Sequence, residues 1–119
     1  MIRSVVCWLG LACFAAFATA CAGGGGRMDA AGNAPAMSTS DFYALCSALP
    51  VPGGCLSDPI CQRYRRELSE PPAELAACLS LCRQTAGDLY TANLTNGCAG
   101  VLDRAEDLCD QFCRRREGK

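Results

Sequence analysis

The chain has 119 residues, with 11 Lys and Arg against 12 Asp and Glu, 11 cysteines, no histidine, and half of its residues hydrophobic. That length holds one small domain, and the near-neutral balance lacks the basic surplus of a nucleic-acid binder. The absence of histidine excludes Ser-His and Cys-His catalytic pairs, HExxH zinc sites and c-type haem attachment, while this density of cysteine marks a disulfide scaffold in an oxidising compartment.

In chain order, Arg3 precedes an uncharged run from Ser4 to Ala22 rich in Val, Leu, Phe and Ala, and Ala18-Thr19-Ala20 stands just before Cys21. A basic start, an apolar stretch and small residues at the exit are the order of a secretory leader, expected over residues 1–20. The run is about long enough to cross a bilayer, so an uncleaved anchor competes. The glycines Gly23 to Gly26 and the lack of a basic stop-transfer cluster after the run favour cleavage.

Ala18-Thr19-Ala20-Cys21 resembles a bacterial lipobox, with Ala18 where leucine is usual. The resemblance implies a lipoprotein: Cys21 carries diacylglycerol and palmitate-type chains after signal peptidase cleavage, and the partner is a membrane. Two or more acyl chains anchor stably. Ala22 resembles the outer-membrane sorting pattern of enteric bacteria, which implies the cell envelope, and the outer membrane in a Gram-negative host. From Cys21 onward the chain holds nine cysteines, and lipidation of the first leaves an even eight. Cleavage after Ala22 also leaves eight, so a secreted, unlipidated effector or inhibitor is the alternative. In a eukaryotic host Asn93-Leu94-Thr95 would then read as a glycosylation acceptor at Asn93.

Residues 21–37 are small, glycine-rich and without apolar periodicity, as expected of a tether reaching about 20–24 Å. The folded domain is expected over 38–116, with 117–119 as a tail. Ser38-Thr39-Ser40-Asp41 reads as a helix start before Phe42 to Cys46, stopped by Pro50, Pro52 and Gly53-Gly54. Asp58-Pro59 reads as an N-cap and first helical position, opening a helix to about Leu68 that Pro71-Pro72 ends. A third helix is expected from near Pro72, with apolar or cysteine positions at 75, 78, 79, 82, 86 and 89, a possible break at Gly87, and a stop at Asn96-Gly97. A fourth, Ala99 to Arg116, sets Val101, Leu102, Ala105, Leu108, Cys109, Phe112 and Cys113 on one face. No period-two strand stands out, so the expected fold is all-α: a small disulfide-rich helical domain of about four helices.

Cys78-x3-Cys82 and Cys109-x3-Cys113 each place two sulfurs on one helical face. Both combinations, 78 with 113 and 82 with 109, centre on the same point, beside Asn96-Gly97. An antiparallel hairpin folded there puts Cys78 opposite Cys113 and Cys82 opposite Cys109, within reach of a pair of bridges. By the same arithmetic Cys46 and Cys61 centre on Gly53-Gly54, leaving Cys55 for Cys98, although four cysteines permit three connectivities. The twin CX3C hairpin resembles those of α-hairpinins and of small intermembrane-space chaperones in mitochondria, over about residues 72–116, in its spacing alone. The competing reading takes Cys78, Cys82, Cys109 and Cys113 as Cu(I) ligands, as helical CX3C pairs resemble those of bacterial copper-storage bundles and soft thiolates suit that ion.

Glu67, Glu70 and Glu74, and Asp103, Glu106, Asp107 and Asp110, read as solvated helix faces, and Arg63, Arg65, Arg66 and Arg114 to Arg116 as surface charge interleaved with acids. Phe42, Tyr43, Tyr64 and Phe112 are expected in the core, any exposed one marking a protein contact. With neither CxxC nor a catalytic constellation, the expected role is a lipid-anchored structural or interaction module with a protein partner, no cofactor and no enzymatic activity.

Overall fold

A computed structural model describes residues 34–116. They form four helices, α1 (Thr39–Ser47), α2 (Asp58–Glu67), α3 (Leu75–Asn93) and α4 (Ala99–Arg116), with no strand among the described residues. The domain is all-α and disulfide-rich. Successive helices run in alternating directions, so the α1–α2 loop and the α3–α4 turn share one end of the molecule, tied by Cys55–Cys98. The largest helix contact is α3 on α4, and α2 packs across both.

Capping chemistry sets the ends. Ser38 Oγ accepts from the Asp41 backbone N–H at 3.1 Å, and the Ser38 backbone N–H donates to Asp41 Oδ2 at 2.9 Å. This reciprocal box satisfies two donors that the first helical turn leaves open. The Ser38 hydroxyl and N–H together hold the exposed Asp41 carboxyl below its ordinary range, so the cap's contribution is complete above the unfolded carboxylate pKa and fades as pH falls through the folded one. The α2 start differs from expectation. Ser57 is the N-cap and makes no side-chain cap bond, while Asp58 Oδ1 accepts from Tyr43 Oη at 2.6 Å. A tertiary partner outcompetes the local cap.

Helix α3 begins at Leu75, later than the prolines suggest, because Glu74 remains extended. Arg116, the last residue of α4, donates to the carbonyls of Pro71 (3.3 Å) and Pro72 (2.9 Å) and holds that connection out of the helix. Gly87 does not interrupt α3. An added Cβ there meets nothing within 4 Å, so Gly87→Ala is expected to raise stability by about 1 kcal/mol, read as a higher midpoint in thermal melts followed by circular dichroism. Asn96 folds back to close the α3–α4 turn: its Nδ2 donates to Asn93 Oδ1 (2.8 Å) and its Oδ1 accepts from the Cys98 N–H (3.0 Å). Gly97, at φ 79°, takes the left-handed conformation this turn requires.

Phe42, Ile60, Tyr64, Leu68, Val101, Leu102, Ala105 and Phe112 form the core with the eight cysteines. The Phe42 and Tyr64 rings lie 5.8 Å apart at 45°. Two expectations need correction. Met37, assigned to the tether, is buried in this core, because an unbranched thioether side chain fills irregular apolar gaps. Tyr43 is only half-buried, its ring under the Arg65 guanidinium at 5.1 Å and its hydroxyl on the α2 N-terminus. Its polar end finds solvent-side partners that a core position would deny it.

Candidate functional site

Sulfur is the most concentrated chemistry in the domain. All eight described cysteines are paired: Cys46 with Cys61, Cys55 with Cys98, Cys78 with Cys113, and Cys82 with Cys109. Their Cα separations are 5.7, 5.0, 5.8 and 5.7 Å respectively, inside the range a bridge requires. Cys78 and Cys82 face α4 one turn apart, as Cys109 and Cys113 face α3, so two staples stack along one seam. Cys82 Sγ lies 3.7 Å from Cys113 Sγ, a contact between oxidised sulfurs with no proton to share. The sulfurs of Cys82, Cys109 and Cys113 all fall within 4.8 Å of one another and are buried. Oxidised, they are struts. Reduced, they would offer three thiolates to a soft ion.

The carboxylates do not converge on a pocket. Glu67 pairs with Arg63 Nε at 3.1 Å, and Glu70 and Glu74 are exposed. Asp103, Glu106, Asp107 and Asp110 run down α4 as an acidic stripe. Partial burial, then Asp110, Asp107 and Asp103, raise the Glu106 carboxyl above its ordinary value, against an opposing pull from Arg83. A raised carboxyl pKa means the fold binds that proton more tightly than the unfolded chain, so ionised Glu106 opposes folding at neutral pH and the cost disappears on acidification. Glu106→Gln is therefore expected to stabilise by about 0.2–0.5 kcal/mol at pH 7, the scale of one like-charge pair a helical turn apart. Denaturant titrations should show the gain shrinking toward pH 4.

Tyr64 lies beside this stripe with no exposed surface, and its hydroxyl has no protein partner. Burial first, then Glu106, Asp110 and Asp103, push its ionisation far above the usual phenol value. It is a neutral core residue. Tyr64→Phe removes an unpaired buried hydroxyl while keeping the ring, and is expected to gain about 1 kcal/mol, visible as a higher denaturation midpoint at unchanged denaturant slope.

Cys21 lies outside the described residues. Asn93 ends α3 as a buried side chain whose Nδ2 donates to Leu89 O at 2.8 Å. In the folded domain the Asn93 side chain is thus largely covered, 8% exposed. Arg115 bonds Gln111 at 3.3 Å, and Arg116 is committed to the proline carbonyls.

A shallow groove of about 400 Å³ lies between Pro50-Val51-Pro52 and the start of α4, with Arg104 at its rim. Beside it stands a feature the sequence reading passed over. Among the described residues, Leu45, Val51, Leu56, Tyr90 and Leu94 are the large hydrophobics left exposed. The signal for it was present as a gap in charge: no residue between Asp41 and Asp58, or between Asp88 and Asp103, carries one.

Four disulfides indicate an oxidising, extracytoplasmic environment. Among the described residues no helix is long and apolar enough to cross a membrane. Comparisons with protein-family models, curated proteins and solved structures return no match.

Proposed function

We propose that the chain is a lipid-anchored, extracytoplasmic module that acts as a structural element or protein-interaction domain at a bacterial membrane, held there through Cys21. The observation that carries the extracytoplasmic, structural part of this reading is the complete pairing of the eight cysteines beyond it, and the lipid anchor rests on the resemblance of Ala18-Thr19-Ala20-Cys21 to a lipobox. Those eight pair among themselves, so none of them is left to bond Cys21, whose thiol the lipid reading assigns to thioether acylation. The helices carry covalent struts where an enzyme would carry reactive groups.

Intact mass of the mature protein before and after reduction tests the proposal. The expected result is a diacylglyceryl modification on Cys21 and a gain of two hydrogens for each of four bridges. A mature protein free of lipid and recovered from the medium would establish the secreted effector or inhibitor instead.

The clustering of three buried sulfurs supports a second reading, Cu(I) binding by Cys78, Cys82, Cys109 and Cys113. Stoichiometric, tight Cu(I) uptake by protein never exposed to reductant would favour it over the strut account, because bridged sulfur cannot supply thiolate.

A further inference from the structure

We infer that the end of the bundle bearing the α1–α2 loop and the α3–α4 turn is a membrane-contacting tip, which docks its apolar side chains onto the bilayer surface to which Cys21 is anchored. For its geometry this rests on the anchored reading above.

All five exposed large hydrophobics lie on the two charge-free stretches, Leu45, Val51 and Leu56 on one and Tyr90 and Leu94 on the other. The fold brings the two stretches together. Cys55 is bonded to Cys98, and Gly97 lies against the Gly53 carbonyl, 3.8 Å from where a Cβ would stand. The opposite end holds Glu70, Glu74 and Arg114 to Arg116. Charge is thus sparse at the tip, where Arg104 lines the groove beside Val51 and Asp58 opens α2. Leu56, at 75%, is the most exposed of the five.

The choice of occupant follows from that distribution and from chain length. A charged protein partner would find a single charged group in the groove, Arg104, whereas the α4 stripe offers several acids together. A bilayer interface accepts leucine and valine into its acyl boundary and an amphipathic tyrosine at headgroup level. From Cys21 to Ala34 the chain can span at most about 45 Å. Helix α3, the longest, is about 28 Å. The domain can therefore turn its tip to the surface yet never leave its neighbourhood. Such confinement gives an effective concentration in the millimolar range, enough for a contact too weak to hold an untethered domain.

The test uses the mature chain from Cys21, which lacks tryptophan, coupled through the Cys21 thiol to a maleimide lipid in phosphatidylcholine vesicles. Chemical coupling supplies the anchor whether or not cells acylate Cys21, so failure of the tip and failure of the lipoprotein reading are separate results. Leu56→Trp reports on the tip and Glu70→Trp on the far end. Docking predicts that vesicle coupling lowers iodide quenching of the Leu56→Trp emission by about twofold or more, the level reached when half the population is docked. It also predicts quenching by brominated acyl chains and little effect of raising salt, while Glu70→Trp stays open to iodide. In a chain reporting through Tyr90→Trp, adding Leu56→Asp and Leu94→Asp should abolish the protection. Unchanged iodide access to Leu56→Trp on vesicles overturns the inference, as does equal protection of both reporters. Concentration-dependent protection without vesicles also overturns it, by assigning the tip to a second copy of the chain.

Discussion

Replacing Cys78, Cys82, Cys109 and Cys113 together with alanine is expected to cost more than twice the stability lost on removing either hairpin bridge alone. The two bridges span 35 and 27 residues and are nested. With one in place, the other closes a ring of only about eight residues, worth about 2.5 kcal/mol in unfolded-chain entropy. When both are removed, the second loss is that of the full 27-residue loop, about 3.6 kcal/mol. The total, about 6 kcal/mol, matches the whole stability of many small domains. Thermal melts should show Cys78→Ala/Cys113→Ala and Cys82→Ala/Cys109→Ala each falling by roughly 10–20 °C. The fourfold variant should be unfolded at room temperature. Equal, additive losses near 3.7 kcal/mol would mean that each staple pins its own turn of the hairpin independently.

The second large effect belongs to Cys55–Cys98. It has the longest sequence separation, 43 residues, and the other bridges barely shorten its loop. Cys55→Ala/Cys98→Ala is expected to lose about 4 kcal/mol, or roughly 15–30 °C in midpoint, against the smaller loss from either hairpin staple. Hydrogen exchange should localise the opening to the α1–α2 loop and the α3–α4 turn, which this bridge joins. An unchanged midpoint would show that core packing alone holds that end closed.

Much of the framework was readable because short-range chemistry dictates it. The capping serine and Asp41 start α1, Pro59 admits α2, and Gly97 takes the positive φ that lets α3 turn into α4. The mirror spacing of the CX3C pairs follows from helix geometry, since equal offsets from one turn meet across an antiparallel seam. What escaped reading depends on partners distant in sequence. Asp58 leaves its capping role for the Tyr43 hydroxyl, and Arg116, 44 residues beyond Pro72, settles where α3 begins. Met37 lies in a stretch that reads as linker, and only the packing of the folded core around it makes it core. Among the candidate sites, the sulfur seam was legible from spacing alone. The bare tip was not, since a gap in charge predicts exposure only once the fold shows which apolar residues the core leaves outside.

The four bridges overlap along the chain, each span beginning before the previous set has ended, from Cys46 through to Cys113. A single proteolytic cut anywhere in that interval leaves one covalent molecule. A nick at the exposed Ser69-Glu70 step between α2 and α3 would leave the two halves joined by Cys55–Cys98 alone. On a non-reducing gel the clipped protein would still migrate as a single species. The domain thereby keeps its halves in register after a break that would separate an unbridged bundle.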